Sequence, residues 1–250
     1  LMEAREYFVR HLSKLDRATV AALVRRMEDA VITTYDVADR AMAARIFAFQ
    51  NDRGKALTKL ETIKSHLMLI VYLRGRSDAD KELAVDAIDL QFSKIYETIM
   101  RGDMAEDEVL NNYWRARNGY FCEEVVEGVK TQLADAEHPL EWIRTFTREL
   151  AASFGFVEKF SADLGEYPVR LRQLNNLSLS YPFLLRAYYL CGLKPGVPSY
   201  ESLLRLMENL TFRSLIRGGR ADIQSRLDPH LKSIKDETSL RVAMEKIVNA

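Results

Sequence analysis

Thr58-Lys59-Leu60-Glu61-Thr62-Ile63-Lys64-Ser65-His66-Leu67-Met68-Leu69-Ile70-Val71 decides the fold class. Its first four residues have capping-box form: the Thr58 hydroxyl can accept from the third helical amide while the Glu61 carboxylate reaches back to the cap amide. Leu60, Ile63, Leu67, Ile70 and Val71 then recur at intervals of three and four, which gives a helix one apolar face. Ser77 stands where a second cap belongs, and Val85, Ile88, Phe92, Ile95 and Ile99 repeat the spacing. Two long amphipathic helices in succession predict helix-on-helix packing.

The pattern extends outward from there. All six prolines lie at Pro139 or later, and the first 138 residues hold five glycines, so long helices with short breaks are expected. Further helices are expected at 2–15, 17–28 (capped by Asp16, with Val20, Leu23, Val24 and Met27 on one face), 37–50, 105–117, 123–136 and 139–162. The series continues at 168–177, 181–191, 199–217, 220–227 and 236–248. Pro139 and Pro182 are expected in first turns, and Gly192 and Gly218 at C-terminal caps. The exception is Val31-Ile32-Thr33-Thr34-Tyr35, β-branched and aromatic without helical period, which reads as a strand. The expectation is a mainly α multi-helix bundle with one short strand near residues 30–36. A helical region 1–136 and a second, 137–250, would form one continuous domain.

The 250 residues carry 36 Lys plus Arg against 36 Asp plus Glu, with 48% hydrophobic residues, which excludes global disorder and a uniformly basic nucleic-acid clamp. Cys122 and Cys191, the only cysteines, make neither a disulfide scaffold nor a zinc site, so a cytoplasmic location is expected. No apolar run reaches membrane-spanning length, so no membrane partner is expected. The neutral total hides an uneven distribution. Residues 103–138 hold nine acids and three bases, and residues 167–227 hold nine bases and three acids. One account is two solvated helix faces that attract each other. The other is an anion-facing surface, with DNA as a ligand, from Arg205, Arg213, Arg217 and Arg220.

Catalytic signals are absent from the sequence. His11, His66, His138 and His230 include no His-x-x-x-His pair, and neither a Gly-x-Ser-x-Gly elbow nor a phosphate loop occurs. No catalytic or metal-ligating residue and no cofactor are expected for this chain alone, and it is expected neither to hydrolyse nucleotides nor to cut DNA. Tyr113, Trp114 and Tyr120 read as core rather than as a base-stacking platform. One segment carries local chemistry: Asn51-Asp52-Arg53-Gly54 sets an amide, a carboxylate, a guanidinium and a glycine in one interhelical turn. Its structural role is to lock that turn. Its functional role is to hold Arg53 as a fixed fork, with Asp52 beside it, for a phosphate or a neighbouring carboxylate.

The run Ala44-Arg45-Ile46-Phe47-Ala48-Phe49-Gln50-Asn51-Asp52-Arg53-Gly54-Lys55-Ala56-Leu57-Thr58, preceded by Val31–Tyr35 and followed by Ile63-Lys64-Ser65-His66-Leu67, resembles the GmrS-type domain of GmrSD-like modification-dependent restriction enzymes. In that family a strand and a helix lead into an "iF…lNdRGk.Lt…d.iK..l" signature. Leu206-Met207-Glu208-Asn209-Leu210-Thr211-Phe212-Arg213 resembles the family's late helix, and Pro182-Phe183-Leu184-Leu185 the apolar helix before it. Gln50 departs from the small or aliphatic residue usual at its position. The family's Asp-Gly-Gln-Gln-Arg motif of a ParB/sulfiredoxin-like domain does not occur, nor does a His-Asn-His nuclease cluster.

The resemblance implies a piece of a longer, nucleotide-dependent DNA restriction or phage-defence protein. Asn51, Asp52, Arg53 and Gly54 would face an N-terminal nucleotide-binding domain. A C-terminal nuclease domain would be the other partner, and nucleotide and divalent metal would belong to the whole protein. The chain's own part would be a helical scaffold coupling the two. Two other readings are open: a stand-alone helical protein-interaction module, and a nucleic-acid-binding helical domain that uses the basic stretch.

Overall fold

The computed structural model describes residues 2–30, 57–75, 77–102, 104–217 and 220–248. Among the described residues the chain forms twelve helices and no strand. The strand expected near 30–36 lies outside them except for Ala30, and the helix expected at 37–50 lies wholly outside. The chain divides into two compact units, Leu1–Ala38 and Asp39–Ala250.

In the first unit α1 (Met2–Leu12) and α2 (Arg17–Glu28) are joined by a short turn. Asp16 caps α2 as expected, one carboxylate oxygen accepting from the Thr19 amide and the other from its hydroxyl, both at 2.8 Å. α1 stops at Leu12, short of residue 15, where the Ser13 hydroxyl turns back to the Arg10 carbonyl at 3.1 Å. Leu23, Val24 and Met27 on α2 are exposed.

The second unit runs α3 (Lys59–Arg74), α4 (Asp78–Arg101), α5 (Glu106–Asn118), α6 (Val125–Ala134) and α7 (Pro139–Ala162). It continues with α8 (Glu166–Gln173), α9 (Leu177–Cys191), α10 (Pro198–Arg217), α11 (Arg220–Ser233) and α12 (Glu237–Val248). α3 begins as its sequence demands: the Glu61 amide donates to the Thr58 hydroxyl at 3.3 Å, and the Thr58 amide donates to the Glu61 carboxylate at 2.8 Å. Leu60, Ile63, Leu67 and Val71 are fully buried, against α4, α5, α6 and α7. The two 24-residue helices α4 and α7 pack along each other, joining Phe92 and Ile95 to the same core as Phe146, Leu150 and Phe154. Tyr113 and Trp114 of α5 are fully buried, as read from the sequence, whereas Tyr120, read with them as core, lies just past the helix end and is exposed. Gly128 of α6 makes room for that indole: a Cβ there would stand 2.7 Å from Trp114 Cζ2.

α9 is the central helix. All nine residues from Leu179 to Ala187 are buried, so it is covered on every side, by α5, α7, α10, α11 and α12. This overturns the first-turn placement of Pro182. α9 starts at Leu177, which leaves Pro182 inside the helix. An interior proline costs about 3 kcal/mol or more, whereas each buried Leu or Phe contributes about 1.5–3 kcal/mol, so tertiary burial carries the helix through. α8 likewise spans Glu166–Gln173 rather than 168–177. Asn175, at φ 50°, adopts the left-handed conformation that separates it from α9. α11 runs on to Ser233 through Pro229. Gly192 ends α9 at φ 63°, as expected of a glycine cap.

Two arginines tie the helices together. Arg115 of α5 donates to Asp228 of α11 from Nε at 2.8 Å and Nη2 at 2.6 Å, and to the Gln224 carbonyl at 2.9 Å. Arg186 of α9 pairs with no carboxylate among the described residues. It donates to the carbonyls of Ala116 (2.6 Å), Arg117 (3.0 Å), Lys232 (3.3 Å) and Ile234 (2.8 Å). These carbonyls end α5 and α11, so one cation satisfies orphan acceptors at two negative helix termini.

Candidate functional site

Asn51, Asp52, Arg53 and Gly54 lie outside the described residues. What the structure gives is their downstream anchor. Thr58 follows Gly54 by four positions, and its capping box sets α3 on a fully buried face.

The basic residues singled out in the sequence fall on α10 and at the start of α11. Arg205 and Arg213 are exposed on α10. They stand eight positions apart, about 12 Å along the axis and roughly 80° around it. They therefore do not form one patch. The side chains of Arg217 and Arg220 lie outside the described residues. Arg213 instead joins two residues that the sequence reading did not single out as a site, Arg226 and His230 of α11, on a cleft of about 520 Å³ between α10, α11 and α12. Its apolar lining is Leu210, Ile216, Ile223, Leu227 and Ile247. Among the described residues neither arginine makes an ion pair.

The helical register explains this convergence. Ile223, Arg226, Leu227 and His230 follow one another at the spacing i, i+3, i+4, i+7, so two basic side chains sit within an apolar stripe. Leu210, Arg213 and Ser214 open the same pattern on α10. That interruption of apolar stripes by cations is the signal that would have marked the cleft from sequence.

Two other clefts are found among the described residues, the first lined by groups that are already engaged. One, of about 390 Å³, contains Arg117, Glu149, Tyr189 and Arg186. Arg117 is ion-paired with Glu149 and lies over the Trp142 ring at 5.2 Å. The Tyr189 hydroxyl donates to the Glu149 carbonyl at 2.5 Å and meets the Ser153 hydroxyl. Burial pushes the Tyr113 and Tyr189 phenols well above their ordinary range, so both stay neutral hydrogen-bonding groups. The third cleft, of about 370 Å³, is walled by Phe156, Phe160, Tyr188 and Tyr200 with Lys159 and Lys194 at its edge. Among the described residues no three His, Cys, Asp or Glu side chains are placed to hold a metal ion. His66 is half-buried, and burial lowers its pKa, with Lys130 adding to the effect. Among the described residues no helix is long and apolar enough to cross a membrane. No protein-family model, curated protein or solved structure matches the chain.

Proposed function

We propose that the chain is the helical scaffold of a nucleotide-dependent DNA restriction or phage-defence protein, coupling a nucleotide-binding domain to a nuclease. A cytoplasmic location goes with that reading. The observation that carries it is the anchoring of α3. The run resembling the restriction-family signature extends from Ala44 through Thr58, and its end is fixed by the reciprocal Thr58–Glu61 hydrogen bonds and the buried Leu60, Ile63, Leu67 and Val71. A helix fixed at Thr58, four positions after Gly54, is the kind of support a scaffold needs for a functional segment carrying Asp52 and Arg53.

The test compares one substitution in two settings. Arg53→Ala should abolish nucleotide-dependent DNA cleavage and phage protection by the whole protein. In this chain alone it should shift unfolding free energy by less than about 0.5 kcal/mol, as for surface changes generally. Full protection retained with Arg53→Ala, alongside a large loss of chain stability, would make the turn a brace and overturn the reading.

A second reading, a protein-interaction module, is favoured by the cleft of α10, α11 and α12, whose two arginines lack ion-pair partners among the described residues.

A further inference from the structure

We infer that the cleft between α10, α11 and α12 is a docking site for an acidic amphipathic helix of a protein partner. The inference rests on the cleft alone and stands whether or not the chain belongs to a restriction protein.

Volume comes first. About 520 Å³ falls within the range of roughly 300–1,000 Å³ typical of ligand sites. The lining comes second. Leu210, Ile223, Leu227 and Ile247 form an aliphatic floor, and Arg213, Arg226 and His230 stand around it. Charge comes third. Neither Arg213 nor Arg226 is neutralised by an ion pair among the described residues, so the complement the cleft lacks is anionic.

The surroundings select the kind of anion. The apolar surface does not stop at the cleft: Ile216, which lines it, is 69% exposed, and Phe212, one turn earlier on the same side of α10, is 54% exposed. Exposed apolar patches next to a groove mark interaction surfaces. Aliphatic surface running along α10 past the cleft suits a partner of helical length rather than a small acid. It also disfavours DNA, whose protein interfaces are polar and dominated by phosphate contacts. An amphipathic helix places Leu-type side chains at i, i+3, i+4 and i+7 in such a groove, and acidic residues flanking that stripe would meet Arg213, Arg226 and His230.

The experiment uses this chain and a fluorescent 18-residue peptide with Leu at i, i+3, i+4, i+7 and Glu at the flanking positions. A scrambled peptide of the same composition, a Lys-for-Glu version and a duplex DNA of about 20 base pairs serve as comparators. The acidic amphipathic peptide should bind at least tenfold more tightly than either comparator peptide. Arg213→Glu combined with Arg226→Glu should weaken it tenfold or more. So should Ile216→Asn, which changes a mostly exposed side chain and leaves the core intact. Circular dichroism and thermal melting of each variant establish that it is folded, and a misfolded variant is replaced by Arg213→Gln with Arg226→Gln. Equal binding of the scrambled peptide overturns the inference, as does no binding or binding indifferent to these substitutions. DNA binding that is lost on the Arg213 and Arg226 changes, without competition by the acidic peptide, overturns it in favour of a nucleic-acid surface.

Discussion

Among the described side chains, Arg186 donates to the most main-chain carbonyls. Its guanidinium donates to four backbone carbonyls, at the ends of two helices separated by about a hundred residues of sequence. Removing it strands several buried acceptors at once, and each such loss costs about 1–3 kcal/mol. Arg186→Met, which keeps much of the packing volume, should therefore lower unfolding free energy by about 3 kcal/mol or more in urea titration. Arg186→Lys should recover only part, because an ammonium cannot span the fork. A loss below about 1 kcal/mol for Arg186→Met would mean that water takes over the carbonyls without penalty. The role of Arg186 was not legible in the sequence, for a physical reason: its partners are main-chain oxygens, present at every residue, so no second side chain signals the site. Arg115 is equally hidden, since Asp228 becomes its neighbour only when α5 and α11 meet.

At the scale of elements, legibility followed the locality of the forces. α3 and α7 could be read because a cap, a first-turn proline and an apolar period are all local, and α7 runs over Pro139–Ala162 as its spacing predicts. Pro182 misled because the burial that overrides it comes from five other helices. The cleft was half legible. Arg213 was marked by charge, but Arg226 and His230 acquire meaning only when α11 turns the same face toward α10. The capping box of α3 gives a direct test. Losing a Thr cap costs roughly 0.5–2 kcal/mol, so Thr58→Ala should destabilise the chain by about 1 kcal/mol in chemical denaturation. Because Thr58 and Glu61 bond reciprocally, Thr58→Ala with Glu61→Ala should cost less than the sum of the single changes. Strict additivity would show that the two hydrogen bonds form independently.

At the scale of the whole unit, α3 to α12 are cross-connected in a way that predicts one cooperative body. α4 packs on α7, α5 on α9, and α9 in turn on α10, α11 and α12, so no helix group is insulated from the rest. The Arg115–Asp228 pair is the longest-range of the buried links, joining residues 113 positions apart, with the Arg115 side chain 4% exposed and Asp228 19% exposed. Breaking such a pair by removing one member leaves an uncompensated buried cation, at a cost of about 3–5 kcal/mol. Asp228→Ala should thus be severe, whereas replacing both partners by Leu should be milder than Asp228→Ala alone. Where the loss is felt is the sharper test. In native-state hydrogen exchange, Asp228→Ala should lower protection of the slowest amides of α4 and α7, which do not touch Asp228, by the same free energy as those of α11. If α3–α7 were a separately stable half, the protection of α4 and α7 would stay unchanged while only α9 to α12 loosened. Equal loss on both sides means that the fixed start of α3 and the cleft of α10, α11 and α12 belong to one folding unit. A ligand bound at the cleft would then stabilise the anchor of the Asn51–Gly54 segment by mass action.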